Sequence, residues 1–493
     1  MIIICIMAYS FFLFSLSASP GGVTQRYYPG DTPVLVLSPG TQPIGTVVVS
    51  HGFAANLGML KPMGAYLASN GYRVVLFDLP GYGNSRLKMN ETDMQTALDQ
   101  VCAGYGGDDY SLAGHSLGSY AVLKYSMTGH GRAVIGLSSF FSDVNRTSPR
   151  NMLLIAGTGD MSTVVSSLPE AVANGTGVAG PEAGTLYGNF SNGTAREYEY
   201  VDANHITIQF NAAAYDEMIK WLDETYGHAR TTGIYNGGPS LSLAFLAIVA
   251  ALVAFLPALY LLSGLVKDGR QRMKPCTSRP FARPFLATLA GSLLAAVAVS
   301  LFNPAYYTGI TMADKFIGFL LYAGIFIMAI DHIAGGRTGR GFSPSQVLKP
   351  LLVALAAGAL LVAAIAIPMD MSFYEQPTVA GRLLLMAVVA LLTLPFFIAG
   401  DSMVRRTEGL KSLAAGAGFR LIALALLAVS FAVSGNLFFD FVILPVILPL
   451  FLLLEIISYC ACRWTGSIFA GAFLNALITG WLLASAFPIA IVH

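Results

Sequence analysis

Charged residues are scarce in this sequence. Aspartate, glutamate, lysine and arginine make up 11% of its 493 residues, less than half of the roughly 25% usual in soluble domains. The positive and negative charges almost cancel, with a formal net charge of +1, and no basic patch interleaved with aromatic residues occurs in the polar first half. This composition excludes a wholly water-soluble chain and argues against a nucleic-acid partner.

Cysteine is scarce as well. Only Cys102 falls in the polar first half, which excludes a disulfide bond within that part of the chain. Cys460 and Cys462 have no histidine or further cysteine near them that would suggest a zinc site, so the sequence predicts neither a metal site nor a cofactor. The five cysteines are Cys5, Cys102, Cys276, Cys460 and Cys462.

The apolar residues divide the chain into three parts. Residues 1–19 form an apolar segment of the length expected for a signal peptide or signal anchor. Residues 20–238 hold most of the acidic residues and are predicted to form a soluble domain. Residues 239–493 contain apolar runs of about 20 residues, the length that crosses a bilayer, and are predicted to form a transmembrane domain with about eight helices. The predicted spans cover residues 241–264, 285–302, 314–334, 350–369, 381–400, 419–437, 439–459 and 467–491.

The basic residues of the membrane half concentrate in alternate loops. The loop after the first span, "VKDGRQRMKPCTSRPFARP", carries six lysines and arginines, and further basic residues follow the third, fifth and seventh spans. The intervening loops "NPAYYTGITMAD" and "PMDMSFYEQPTVAG" carry none. Because basic loops remain on the cytoplasmic side, residues 20–238 are predicted to lie outside the cytoplasm, at the cell surface or in a lumen.

Glycosylation sequons agree with this orientation. The soluble half contains five N-x-S/T sequons and the membrane half contains none, as expected of an exported glycoprotein domain. The sequons begin at Asn90, Asn145, Asn174, Asn189 and Asn192.

In the soluble half, short β-branched runs alternate with helical patterns. This alternation predicts an α/β fold, a mostly parallel sheet with helices on both faces and its functional site at the carboxyl ends of the strands. The predicted strands cover residues 45–52, 72–81, 109–116, 133–139, 151–159 and 197–202, and the predicted helices cover residues 57–71, 92–106, 117–129 and 211–227.

A G-x-S-x-G pentapeptide, "GHSLG", follows the third predicted strand and centres on Ser116. The pentapeptide alone also fits an ordinary glycine-containing turn. Its position between a strand and a helix favours a nucleophile, because the two glycines allow a sharp turn that exposes the hydroxyl above the helix N-terminus.

From residue 44 to 226 the sequence resembles the α/β-hydrolase superfamily. The resemblance rests on this pentapeptide and on "SHGFAANLGMLKPMGAYLASNGYRVVLFDLPGYGNS" before it, and it implies an α/β-hydrolase fold with serine esterase or lipase chemistry. It identifies "HGF" as the oxyanion loop, with the backbone N–H groups of Phe53 and Leu117 as the two oxyanion donors. Asp78 matches a position that is usually structural in this superfamily.

The superfamily order, serine then acid then histidine, implies the general base. His205 in "VDANHITIQF" follows the last predicted strand and precedes a helix, where the superfamily places its catalytic histidine. His228 lies at the end of the final helix, and His130 lies in a loop at the other end of the sheet. A surface-loop histidine remains the alternative for His205.

The same order implies the acid of the triad. Asp160 ends the strand "NMLLIAGTGD" and resembles the aspartate turn of the superfamily, while Asp143 follows the preceding strand, a position that some members use instead. Superfamily members with a cap insert it between these two strands. Only residues 140–150 lie there, so a minimal cap and a shallow, open site are predicted.

These patterns predict a membrane-embedded, extracytoplasmic serine hydrolase that cleaves an ester, thioester or amide of an acyl or lipid-like substrate at the lipid bilayer. Two alternatives remain. In one, the membrane half is a transporter or channel with an appended regulatory hydrolase domain, since Glu455 and Asn475 lie deep within predicted spans. Such residues also fit hydrogen bonding between helices. In the other, the soluble domain is a catalytically inactive binding module.

Overall fold

The computed structural model describes the protein in eight stretches, in which a mixed α/β domain is followed by a bundle of long apolar helices. The predicted boundaries of these parts, near residues 19 and 238, lie outside the described residues, as does most of the basic loop after the first span. The described stretches are residues 2–17, 23–27, 31–229, 241–266, 282–334, 344–405, 409–435 and 443–490.

Eight strands form one sheet in the first domain, in the order β1-β2-β4-β3-β5-β6-β7-β8. Strand β2 runs antiparallel to β1 and β4, and the neighbouring pairs from β4 to β8 are all parallel. The predicted mostly parallel sheet is therefore confirmed, and β1 and β2 add two strands that the sequence pattern did not predict. The strands are β1 Val23–Tyr27, β2 Val34–Ser38, β3 Thr46–Ser50, β4 Arg73–Phe77, β5 Tyr110–His115, β6 Val134–Leu137, β7 Met152–Gly157 and β8 Arg196–Val201.

Helices cover both faces of the sheet, because successive strand residues point to opposite sides. On one face Val47 packs in a cluster with Met63 and Met218, and on the other Val48 packs in a cluster with Val122. The first face is covered by α2 and α6, and the second by α3, α4 and α5. These helices are α2 Lys61–Ser69, α3 Glu91–Val101, α4 Leu117–Ser126, α5 Ser162–Thr176 and α6 Ala212–Tyr226.

In the described residues of the second part, eight helices are long and apolar enough to cross a membrane, as predicted. Most of the bounds agree with the prediction. The sixth helix, however, begins at Leu410 rather than at residue 419, and the last ends at Ala486 rather than at residue 491. The helices are α7 Leu241–Ser263, α8 Ala282–Leu301, α9 Ala313–Ile333, α10 Pro344–Ser372, α11 Ala380–Val404, α12 Leu410–Val433, α13 Leu444–Thr465 and α14 Ile468–Ala486.

The apolar amino-terminal segment forms a short helix, α1 (Ile2–Ser17), that lies against the bundle. It contacts α7 and α10, and the Tyr9 hydroxyl donates a hydrogen bond to the Ala364 carbonyl at 2.9 Å. At 16 residues it is shorter than the eight candidate spans.

Ion pairs hold the interior of the bundle together. The Glu455 carboxylate accepts from Arg405 at 2.5 Å and from Arg420 at 2.9 Å, and Arg405 also pairs with Asp401 at 2.9 Å. All four side chains are buried. Glu455 thus ties α13 to α12 and to the end of α11. Asn475 is also buried, and its amide has no hydrogen-bond partner among the described residues.

The two parts of the protein are joined through the loop that follows β4. Its Met89 N–H donates to the Ile489 carbonyl at 2.8 Å, and the Ile489 N–H donates to the Gly81 carbonyl at 2.9 Å. Arg382, near the start of α11, also donates to the Gly81 carbonyl. The residues just after α14 are therefore hydrogen-bonded to the α/β domain.

Candidate active site

The Ser116 turn connects β5 directly to α4. Ser116 has φ 52° and ψ −115°, a backbone conformation that is strained for any residue with a side chain. A Cβ added to Gly114 would overlap the Gly118 carbonyl, and one added to Gly118 would overlap the Ser50 carbonyl. The strained turn therefore requires glycine on both sides, which is the physical reason for the spacing of the motif.

The structure brings Ser116, His205 and Asp160 into one chain of hydrogen bonds. The Ser116 Oγ lies 3.0 Å from the His205 Nε2, and the His205 Nδ1 lies 2.8 Å from the Asp160 Oδ1. Each follows the carboxyl end of a strand: Ser116 follows β5, His205 follows β8 and Asp160 follows β7. A serine hydroxyl next to an imidazole that a carboxylate orients is the arrangement of a base-activated nucleophile.

Three donors surround the Asp160 carboxylate. Its Oδ1 accepts from the Met161 N–H at 2.8 Å as well as from His205, and its other oxygen accepts from the Ser138 hydroxyl. Burial by itself would raise the pKa of Asp160, but the hydrogen bonds from His205 and Ser138 outweigh it and hold the pKa below its ordinary value. Asp160 is therefore ionised at neutral pH and orients the imidazole.

The predicted oxyanion loop lies against the Ser116 turn. A Cβ on Gly52 would come within 2.7 Å of the His115 ring. The loop is fixed by His51, whose Nδ1 donates to the Gly52 carbonyl at 2.9 Å and whose Nε2 accepts from the Leu79 N–H at 3.0 Å. Burial lowers the pKa of His51 to about 4, so the ring is neutral. Phe53 follows in this loop.

Leu117 is the first residue of α4. The first N–H groups of a helix have no acceptor within the helix, and the positive end of the helix dipole lies there. The Leu117 N–H, directly after Ser116, therefore has no acceptor within the helix, as its predicted role requires.

Two residues beside the triad were not predicted from the sequence. Ser138 follows β6 and holds Asp160, and His115 donates from its Nε2 to the His205 carbonyl at 2.8 Å. Burial lowers the pKa of His115 to about 4, so this ring is neutral. His115 occupies a variable position of the pentapeptide, and Ser138 lies in "GLSS", which is not a known motif. The sequence could have indicated that they support the site only through their positions at the ends of predicted strands.

The other histidines and the other aspartate that the sequence offered do not take the places of His205 and Asp160. His228 is exposed just after α6, and the exposed His130 stacks on Tyr125 with a ring distance of 4.3 Å. Asp143 is exposed in the β6–β7 loop, while Asp160 occupies the Nδ1 side of His205. A cavity of about 750 Å³ lies at the opposite edge of the sheet and touches none of the triad residues.

The rim of the site is apolar. Phe140, after β6, and Ile206, next to His205, are 47% and 38% exposed. Residues 138–151 form no helix between β6 and β7, in agreement with the predicted minimal cap. Ser116 and His205 are nevertheless only 6% and 8% exposed, so the site is less open than predicted.

Comparison with known proteins relates the first domain to hydrolases. The family model described as serine aminopeptidase, S33, matches residues 41–178, less than a third of the chain. A search of curated proteins found no match.

Solved structures of low identity cover less than half of the chain. A monoacylglycerol lipase from Paleococcus ferrophilus is 16% identical, with 42% of this chain and 100% of that chain covered and a TM-score of 0.31. A carboxylesterase from Bacillus subtilis is 14% identical, with coverage of 46% and 99% and a TM-score of 0.32. A laboratory-evolved variant of potato epoxide hydrolase is 12% identical, with coverage of 41% and 99% and a TM-score of 0.30.

The family match falls on the region that contains the predicted oxyanion loop, the Ser116 turn and strands β3 to β7. The sheet order and the position of the pentapeptide between β5 and α4 agree with it. The first domain therefore has an α/β-hydrolase fold, and it is followed by a helical region in which the described residues form eight candidate membrane spans.

Proposed function

We propose that this protein is a membrane-embedded serine hydrolase that cleaves carboxylic esters, with thioesters and amides as related substrates. The observation that carries the proposal is the hydrogen-bonded chain from Ser116 through His205 to Asp160, at a strained turn beside a helix N-terminus. Esterases, lipases and an epoxide hydrolase are among the similar proteins. The serine at the turn favours acyl transfer over epoxide opening.

The reaction follows from the atoms in contact. The Ser116 Oγ attacks the carbonyl carbon while the His205 Nε2 takes its proton, and the carbonyl oxygen becomes an oxyanion held by the Phe53 and Leu117 N–H groups. When the bond to the leaving alkoxide breaks, His205 returns the proton to it. Water, activated by the same histidine, then cleaves the acyl-enzyme and releases the carboxylic acid.

We further propose that the hydrolase domain lies outside the cytoplasm. It contacts the end of the bundle that carries residues 373–379 and 487–490, and residues 373–379 belong to a loop without lysine or arginine. Four of the five sequon asparagines are exposed on its surface, at Asn145, Asn174, Asn189 and Asn192.

A fluorophosphonate probe on right-side-out vesicles tests the activity and the orientation together. The wild type should be labelled from outside, and Ser116→Ala should lose labelling and ester turnover completely. Ser126→Ala is the matched control, because this buried serine lies at the far end of the same helix and should retain both. A folded wild type that is labelled only after the vesicles are opened contradicts the orientation, and one that is never labelled contradicts the activity.

The transporter alternative gains no support from the bundle. Glu455, its principal candidate, is paired with two arginines, and a buried ion pair of this kind fits a role in helix packing.

A further inference from the structure

The catalytic edge of the sheet faces the helical bundle. The loop after β3 contacts it through Asn56, whose side-chain amide donates to the Glu375 carbonyl at 2.7 Å. The loop after β4 contacts it through Asn84, which accepts from the Thr378 N–H at 2.6 Å. Because carboxyl ends of parallel strands share one edge of a sheet, these contacts lie at the same edge as Ser116.

The last helix fixes the level of the site relative to a bilayer. Helix α14 has 19 residues, and a helix of that length is about 28 Å long, close to the roughly 30 Å of a hydrocarbon core. Phe487 is the first residue after α14. If α14 crosses the membrane, Phe487 lies at the boundary between hydrocarbon and headgroups.

Phe487 touches the oxyanion loop. Its ring lies 5.9 Å from that of Phe53 in an edge-to-face arrangement, and Phe53 also contacts the Tyr82 ring at 6.2 Å. Arg382 fixes this contact by donating to the Ala484 and Phe487 carbonyls, each at 2.7 Å. The bundle therefore supplies an apolar wall beside the proposed oxyanion hole.

The remaining rim suits an acyl chain. Ile206 directly follows His205, and Phe140 lies two residues after Ser138; both are exposed, and the Tyr120 ring stacks on Phe140 at 5.9 Å. Exposed apolar side chains grouped around a site are typical of contact with lipid or another apolar partner. Phe140 and Ile206 thus add exposed apolar surface close in the chain to Ser138 and His205.

We propose that the site takes its substrate from the adjacent leaflet and cleaves the acyl ester of a bilayer lipid, with the chain lying along the apolar wall that Phe53 and Phe487 form. The proposal rests on the serine-hydrolase function proposed above. The ester carbonyls of a bilayer lipid lie at the boundary of the hydrocarbon core, which is the level of Phe487. A site at that level can reach the ester without withdrawing the chain into water, where every CH₂ group is unfavourable.

Two fluorophosphonates of equal reactivity, one with a hexadecyl chain and one with an ethyl group, test this proposal on the full-length protein in phosphatidylcholine nanodiscs. In both, the Ser116 Oγ bonds to phosphorus, fluoride leaves and His205 takes the proton. The bilayer concentrates the hexadecyl probe at the membrane and depletes it from water. An interfacial site should react with it about tenfold faster than with the ethyl probe, whereas a site open only to water should react more slowly.

Variants of Phe487 test whether this residue causes the preference for the hexadecyl probe. Phe487→Ala should slow the hexadecyl reaction about fivefold and leave the ethyl reaction within about twofold, because only the long chain uses this wall. Phe487→Leu, which keeps an apolar side chain, should retain most of the preference. Phe302→Ala is the matched control, because Phe302 also directly follows a candidate span and is 57% exposed. It should change neither rate.

The outcomes separate the two proposals. A wild type that reacts with neither probe overturns the proposed hydrolase function. A wild type that reacts with the ethyl probe but shows no preference for the hexadecyl probe leaves that function intact and overturns the lipid proposal. The lipid proposal also fails if folded Phe487→Ala loses both reactions equally.

Discussion

Ser138 donates a hydrogen bond to Asp160, the proposed acid of the triad, and so links it to the neighbouring strand. It lies at the end of β6 with φ 49°, a backbone conformation that turns its hydroxyl toward the Asp160 carboxylate. Ser138 is thus a positioning residue, because its hydrogen bond holds the oxygen of Asp160 that does not face His205.

Ser138→Ala should lower kcat about tenfold with little change in KM, because a hydrogen bond to a charged group is worth roughly 1.5–3 kcal/mol. The bond lowers the pKa of Asp160, so its loss raises that pKa. The stability that the ionised carboxylate contributes is lost as pH falls through its folded pKa, and this loss should begin at a higher pH in the variant. Steady-state kinetics and acid unfolding measure both effects. Ser142→Ala, in the same loop, should show neither.

Asp78 predicts a second pH effect, of opposite sign. It accepts hydrogen bonds from the Leu57 and Asn84 N–H groups, each at 2.8 Å, and burial raises its pKa to about 7. A folded pKa above the unfolded value, near 4, means that stability falls as pH rises from about 4 to 7. Between pH 5 and pH 8, the wild-type Tm should therefore drop by roughly 5 °C more than that of Asp78→Asn. Equal pH dependence in the two proteins would contradict the raised pKa.

Among the elements of the fold, the β5–Ser116–α4 unit tolerates the least change. Its helix approaches β3 so closely that Gly118 lies against the Ser50 and His51 carbonyls. The approach leaves no room for a methyl group, and backbone atoms cannot move aside as a flexible side chain would.

Gly118→Ala should therefore destabilise the hydrolase domain by about 1–3 kcal/mol or more, the usual cost of overpacking, and should abolish probe labelling by displacing the Ser116 turn. Gly104→Ala is the control, since a Cβ there would meet nothing within 4 Å. Thermal unfolding and fluorophosphonate labelling of both variants check the prediction. A Gly118→Ala protein with wild-type stability would show that the helix can move away from β3.

The elements that the sequence predicted are those with strong local patterns. Strands β3, β4, β6 and β7 are mostly apolar runs buried on both faces, and the candidate spans are long enough to identify by hydropathy alone. Strand β1, "VTQRY", lies at the sheet edge and is mostly polar. Helix α5 begins without a side-chain cap and contains Pro169, so the usual start signal is missing and a breaker lies inside.

The residues of the candidate site were likewise predictable only where a local sequence pattern identifies them. Ser116, Asp160 and His205 each follow a strand in an order that a known superfamily shares, so their proximity could be expected from the sequence. Ser138 and Phe487 could not be expected, because their roles depend on contacts between segments that are distant in the chain. The contact of Phe53 with Phe487 joins residues more than 400 positions apart, and no local pattern specifies it.

On the scale of the whole molecule, the α/β domain and the bundle share a buried polar interface. Arg382 is its central residue, because its guanidinium donates to the carbonyls of Gly81, Ala484 and Phe487 while only 2% exposed. Lys61 adds an ion pair with Glu375 at 2.8 Å.

Arg382→Gln should loosen this interface, because it leaves buried carbonyl groups without donors. Hydrogen–deuterium exchange should then rise at the Met89 and Ile489 amides, which bridge the two parts. Arg283→Gln is the control. Arg283 also donates to a carbonyl in the helical region, that of Asp331, but it is far in the chain from the loop after β4 and from Ile489. Unchanged exchange in Arg382→Gln would show that the backbone bridge holds without the arginine.

The bridge between Ile489 and the loop after β4 also sets the order of events during biosynthesis. Roughly 260 residues separate the end of α6 from Ile489, so at ordinary translation rates of 5–20 residues per second the ribosome needs about 13 to 50 seconds to make them. The sheet can be complete throughout that interval, but the Gly81 and Met89 backbone groups still lack their partner. These hydrogen bonds at the carboxyl edge of the sheet can therefore form only after the eighth candidate span has been synthesised.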